Sequence, residues 1–258
     1  MVKKQPVLFI GHGSPINAIM ENTYTKMLNK LGEELEKPKA IMVISAHWIT
    51  NGTYITKQDS PKEIYDFYGF PKELYEVKYS ISGAKPYIDK AFEELKDYNV
   101  KLTDTWGIDH GAWCVLKHIF PKGDVPVFQL SLNALENEAY HYSLGKKLSN
   151  LRDEGILILG SGNIVHNLRE MKAEKDANPY AWATEFDEFV ANAIMKGDHD
   201  KLMNYKDIGR EASLSVPTDE HYLPLLYIAA LMEEGDKARF LFRGIEHGSL
   251  SMMSIKIG

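Results

Sequence analysis

Val7-Leu8-Phe9-Ile10-Gly11-His12-Gly13-Ser14-Pro15 reads as a buried strand that stops on a histidine. Four consecutive apolar residues suit a strand covered on both faces, as in a parallel sheet. Glycine on either side of His12 ends the run, removes steric bulk and permits unusual backbone angles. The imidazole is thereby presented at the C-terminal end of a strand, where ligands bind in α/β sheets. Two readings stand side by side: a tight turn that contains a histidine, or a side chain placed to hold something.

Outward from this stretch, Tyr24, Met27, Leu28, Leu31 and Leu35 recur at helical intervals over residues 22–36. Residues 40–46 form a second apolar strand that runs into His47 and Trp48. Strand, helix and strand in so short a span imply a βαβ unit with parallel strands. Both strands then deliver a histidine to the same sheet edge.

Residues 57–82 are a long aromatic connection with Asp66-Phe67-Tyr68-Gly69-Phe70-Pro71 at the centre. It reads as a binding loop or lid, or equally as a surface excursion pinned by its aromatics. A helix over 85–98 and a short strand over 100–103 follow. Asp109 and His110 then sit between glycines on a loop before a helix over 113–119. A strand over 125–130 and a helix over 135–153 precede the strand 156–159. That strand turns through Gly160 and Gly162 towards His166, the third histidine delivered this way.

Residues 180–196 form an amphipathic helix. Thr218 is placed to cap a helix running to Glu234, with His221 in its first turn. Strands over 238–243 and 249–257 close the chain. No repeat, low-complexity segment or linker divides residues 1–258, so a single α/β domain is expected.

With 44% hydrophobic and 26% charged residues, the composition is that of an ordinary globular chain. A net charge of -6 and the lack of a basic cluster exclude a nucleic-acid partner. The single cysteine, Cys114, excludes an internal disulfide framework and a cysteine-rich metal site, and reads as a small core residue. Lys3 and Lys4 precede only a short apolar strand with no cleavage-site pattern. No apolar run reaches membrane-spanning length, so a reduced cytoplasmic setting and no membrane partner are expected.

Of nine histidines, His12, His47, His110, His166 and His221 sit at strand ends, glycine-flanked loops or a helix start. His118, His141 and His199 lack that context and read as structural, and His247 is left with them. Neutral imidazoles converging on one sheet edge suit zinc, iron, copper or nickel. None of the five shows HExxH-type spacing, so the residues alone point to a metal centre without naming its metal.

Seven motifs carry a resemblance: GHGSP at 11–15, SAHW at 45–48, DFYGFP at 66–71, DHGAW at 109–113, GSGNIVHNL at 160–168, PTDEHYLPLLY at 217–227 and GSLSM at 248–252. Together they resemble the DODA-type extradiol aromatic ring-opening dioxygenases, the 4,5-DOPA dioxygenase group of the LigB superfamily, in preserved order from first strand to last. The resemblance implies one α/β domain around a mixed, largely parallel sheet flanked by helices, with the metal at one sheet edge. It implies that His12, His47 and His221 bind the metal, with His166 a further ligand or an acid/base. The wider LigB group uses two histidines and a glutamate, whereas this chain offers His221 at the carboxylate's position.

The implied activity is insertion of O2 into the ring of a catechol, L-DOPA-like, to give a muconic semialdehyde-type product. Iron(II) would serve the oxygenase chemistry, and the all-histidine set is also congenial to zinc. His110 and His166 are the candidates for proton transfer. Asp109 either orients His110 or caps the following helix. Tyr68, Phe70 and Tyr222 line the substrate pocket or pack the core. A zinc hydrolase using the same histidines and a non-catalytic metal-binding module are the competing readings.

Overall fold

Val7 and Phe9 face one hydrophobic cluster and Leu8 and Ile10 face another, and all four are fully buried. The same alternation holds for Met42 and Ile44 against Ile41 and Val43, and for Ile156 and Ile158 against Leu157 and Leu159. Side chains of a strand point alternately to either face. A continuous apolar run therefore fits a sheet with helices on both sides, each such side chain contributing roughly 1.5–3 kcal/mol on burial.

The computed structural model describes residues 4–258, so Lys3 of the Lys3–Lys4 pair lies outside the described residues. Its strands are β1 (Val7–Gly11), β2 (Ala40–Thr50), β3 (Tyr54–Thr56), β4 (Lys101–Thr103), β5 (Val127–Asn133), β6 (Ile156–Gly162), β7 (Ala238–Phe242), β8 (Ile245–Glu246), β9 (Leu250–Ser251) and β10 (Ser254–Ile257). The helices are α1 (Thr23–Glu34), α2 (Lys72–Tyr75), α3 (Lys85–Glu94), α4 (His110–Ile119), α5 (Glu138–Lys147), α6 (Ser149–Asp153), α7 (Ala181–Lys196), α8 (His199–Met203), α9 (Arg210–Ser215) and α10 (Leu223–Ala230).

Eight strands form one sheet in the order β4-β3-β5-β2-β6-β1-β10-β7, while β8 and β9 pair separately. The centre, β5-β2-β6-β1, is parallel. β10 pairs antiparallel with β1 and β7, and β3 antiparallel with β5, which makes the sheet mixed. The chain is thus a single-domain α/β protein. α1 and α4 pack together on one face, and α5 and α10 on the other. All eight residues of α10 are buried, as suits a helix that is apolar all round. Among the described residues no helix is long and apolar enough to cross a membrane.

Three expected elements are drawn differently. The predicted helix over 135–153 is two helices, broken at Leu148, whose N–H turns to the Gly145 carbonyl three residues back. The predicted strand over 249–257 is split, and its halves β9 and β10 belong to different sheets. The last long helix starts at Leu223 rather than near Thr218 and ends at Ala230. Pro224 explains the late start: inside a helix its ring would meet the carbonyl of residue 220, whereas in a first turn it fits. His221 therefore lies in a turn ahead of α10.

Candidate metal centre

The sheet register places two of the histidines. Ser161 of β6 pairs with Ile10 of β1 on one side and Ser45 of β2 on the other. His12 and His47 each stand two residues beyond those partners, so they flank the end of β6 at one level. The pairing of β2 with β5 is irregular between Ile44 and Ile49, and such an irregularity re-aims side chains. His47 falls in that interval. Gly13 has φ 61°, which lets the chain turn away from His12 at once.

His221 is held against the same strand end. Its carbonyl accepts from Asn163 N–H at 2.9 Å, and a Cβ on Gly162 would stand 2.2 Å from that carbonyl oxygen. Only glycine permits this approach. One nitrogen each from His12, His47 and His221 then lies within 4.8 Å of the others.

Each ring has its outer nitrogen occupied. The Ser161 hydroxyl donates its proton to the Gly111 carbonyl at 2.6 Å, so at 3.0 Å it accepts from His12 Nδ1. His221 Nδ1 donates to Glu220 Oε1 at 3.2 Å, and His47 Nδ1 stands 3.3 Å from Asp66 Oδ2. His12 and His221 therefore carry their proton on Nδ1 and leave Nε2 bare, and the Asp66 carboxylate beside His47 Nδ1, which can only accept, favours the same tautomer there.

The Nε2 atoms of His12 and His47 are 3.1 Å apart, and His221 Nε2 is buried without a partner. Two ring nitrogens in close contact and an orphaned third are suited to a shared cation. Nitrogens bound to one ion at about 2.1 Å stand about 3.0–3.4 Å apart. The residues present fit a divalent transition metal.

The surroundings keep these imidazoles neutral. Burial, then the neighbouring His47, His221, His110 and His166, hold His12 well below the ordinary imidazole range. Burial and then His166, His47 and His110 do the same to His221. His47 is pushed down to about 4 by burial and His110, against the pull of Asp109, Asp66 and Glu220. His166 is also lowered to about 4, chiefly by burial.

His110 and His166 complete the group without joining the three. His110 opens α4 rather than preceding it, because Asp109 caps that helix by accepting from Ala112 N–H at 3.2 Å. Asp109 also accepts from Ser45 Oγ at 2.6 Å and Gln129 Nε2 at 2.9 Å. The carboxylate that orients His110 is Asp66, which accepts from its Nδ1 at 2.9 Å and its backbone N–H at 3.0 Å. His166 lies flat on His221, with ring centroids 3.5 Å apart. A cavity of about 390 Å³ lined by Ile49, Tyr205, Lys206, Asp219 and Glu220, among others, meets the cluster at Glu220.

This arrangement can be set beside known proteins. The family described as the catalytic LigB subunit of aromatic ring-opening dioxygenase matches residues 6–253. The chain belongs to the LigB family. A 4,5-DOPA dioxygenase extradiol of Escherichia coli K12 is 45% identical over 99% of this chain and 95% of its own length. One from Beta vulgaris is 35% identical over 96% of this chain and 94% of its own. The crystal structure of an uncharacterised Escherichia coli K12 protein superposes with a TM-score of 0.87 at 40% identity, covering 98% of this chain and 100% of that one. The LigB chain is accordingly an aromatic ring-opening dioxygenase, and His12, His47 and His221 are its candidate metal site.

In this LigB chain all five singled-out histidines meet, and the other four are engaged elsewhere. His118 bonds the Asn17 carbonyl, His141 the Tyr227 hydroxyl, His199 the Tyr142 hydroxyl and His247 the Lys172 carbonyl. Tyr222 packs the core against Phe186 and Tyr205, and its hydroxyl donates to the Leu202 carbonyl. Phe70 packs on Phe67, and Tyr68 points into solvent, 92% exposed. The aromatic that reaches the site is Phe67, edge-on to His110 at 5.5 Å. Sequence reasoning missed the outer partners Asp66, Ser161 and Glu220. Only Asp66 carried a signal, as the charged residue heading an otherwise apolar aromatic motif.

Proposed function

We propose that this chain is an extradiol dioxygenase that opens the ring of a catechol, with an L-DOPA-like molecule as substrate and a muconic semialdehyde-type compound as product. One observation carries the reading. One nitrogen each from His12, His47 and His221 converges within 4.8 Å, while Ser161 and Glu220 bond Nδ1 of His12 and His221 and Asp66 stands beside Nδ1 of His47. The relatives named 4,5-DOPA dioxygenase extradiol support the substrate class.

The three histidines would hold the metal, iron(II) for ring opening; when bound, it supplies Lewis-acid and redox chemistry that favours the catecholate and its reaction with O2. His110 has its Nδ1 tied to Asp66, which leaves Nε2 to take the proton of a catechol hydroxyl. His166, stacked on His221, is neutral at rest and is the second candidate to take up a proton during turnover and return it at the later O–O cleavage. Burial of His12, His110 and His221 limits competition from bulk water.

The test is anaerobic loading with iron(II), followed by L-DOPA and a panel of catechols under O2. Oxygen uptake with a yellow ring-opened product is expected. Stoichiometric metal with no uptake on any catechol would overturn the reading, and ester hydrolysis by the zinc-loaded protein would replace it with a hydrolase.

A further inference from the structure

Asp66 stands within 3.3 Å of ring nitrogens of two histidines of the cluster. Its Oδ1 accepts from both the backbone N–H and Nδ1 of His110, at 3.0 and 2.9 Å, and its Oδ2 stands 3.3 Å from Nδ1 of His47. The two rings are neighbours, with centroids 3.9 Å apart. We propose that Asp66 is a shared positioning residue, one side chain that fixes both the metal ligand His47 and the proton carrier His110. The proposal rests on the reading of those two histidines given above.

An ionised carboxylate has two oxygens that accept and none that donates. It therefore takes Nδ1–H from His110 and favours Nδ1–H on His47, which turns both Nε2 atoms to the far side, towards the reaction space. An amide in the same place could accept from one ring only, because its NH2 would confront the N–H of the other. Outer partners of this kind fix the tautomer and orientation of a metal-ligating histidine. Here the same group does so for a second histidine that does not belong to the ligand set.

Asp66 is itself held from both sides along the chain. Ile64 N–H donates to the Ile108 carbonyl at 2.7 Å, and Ile108 N–H to the Lys62 carbonyl at 2.9 Å. Trp113 Nε1 donates to the Ile64 carbonyl at 3.1 Å, two residues ahead of Asp66. On the following side Phe67 packs against His110 and Trp113. The aromatic segment is pinned, and its pinning delivers a carboxylate. Docking of residues 62–67 and ordering of the two histidines are then a single event.

The experiment uses the full chain with Asp66→Ala and Asp66→Asn, each alone and combined with His110→Ala. Zinc affinity is read by competition with a chromophoric chelator, and kcat and KM by oxygen uptake of the iron(II)-loaded protein. Asp66→Ala is expected to weaken zinc binding by about 10- to 100-fold, with or without His110, because that effect runs through His47. It is expected to lower kcat about 100-fold when His110 is present and not to lower it further when His110 is absent.

Asp66→Asn, which keeps size and shape, should retain one of the two effects near the parent value and lose the other. Zinc affinity unchanged in both variants, or a kcat loss equal in both His110 backgrounds, overturns the proposal. His47→Ala separates the causes. If it loses zinc while the Asp66 variants do not, only the role of Asp66 fails. If it keeps zinc, the metal centre itself fails.

Discussion

The rings of His166 and His221 lie face to face, 3.5 Å apart and within 6° of parallel. The lone pair with which an imidazole binds a metal lies in the ring plane. Two rings stacked in this way do not both aim at one ion. His166→Ala should therefore keep its metal and lose turnover by about 10²–10⁴-fold, the scale of a missing proton carrier. Metal analysis and oxygen uptake on the same preparation check this, and a variant purified without metal would make His166 a ligand.

Ser161 sets the tautomer of His12 because its own proton is committed to the Gly111 carbonyl. Ser161→Ala removes the acceptor and frees the ring. Metal affinity should fall about 10- to 100-fold, measured by chelator competition. Unchanged affinity would mean that the His12 ring is held by packing alone.

Gly162 meets the backbone of His221 so closely that a methyl group has nowhere to go. The obstacle is a carbonyl oxygen rather than the end of a flexible side chain, so strand and turn must part. Gly162→Ala should cost about 1–3 kcal/mol, seen as a lowered melting temperature, together with weakened metal binding. A variant with parental melting temperature and metal content would show that the close approach is dispensable.

His141 offers a pH test away from the cluster. Burial pushes its imidazole down to about 4 in the folded chain, against about 6.5 when unfolded. The unfolded state thus takes up the proton first. Stability is lost as pH falls from about 6.5 towards 4, and this one group accounts for a loss of the order of 3 kcal/mol. Urea unfolding of metal-free protein at several pH values measures the loss. His141→Gln should show a shallower fall than the parent, and an equal slope would assign the effect to other groups.

Much of the site could be read before folding, for definite reasons. His12 and His166 each follow an apolar run through glycine, which marks a strand end, and His47 directly follows an apolar run. For His221 local reading finds the residue and misses its place relative to the helix. A helix start at Thr218 is plausible for its residues, and only the steric demand of Pro224 four residues beyond Glu220 moves the helix away. His110 reads as a loop residue from its glycine neighbours, and the capping of Ala112 N–H by Asp109 makes it the first residue of α4.

By itself the sequence determined the two-sided sheet, since apolar runs of this length are stable only between helix layers. It also carried the family. Tertiary structure alone decided what stands behind His12, His47 and His110. Ser161 is 149 residues from His12, and Asp66 is 44 residues from His110, so neither pairing leaves a trace in local spacing. Strand order and register bring the first pair together, and the pinned loop over residues 62–67 brings the second. Because a carboxylate or a hydroxyl whose proton is committed elsewhere can only accept, those distant partners settle which nitrogen of each ring is left for the metal.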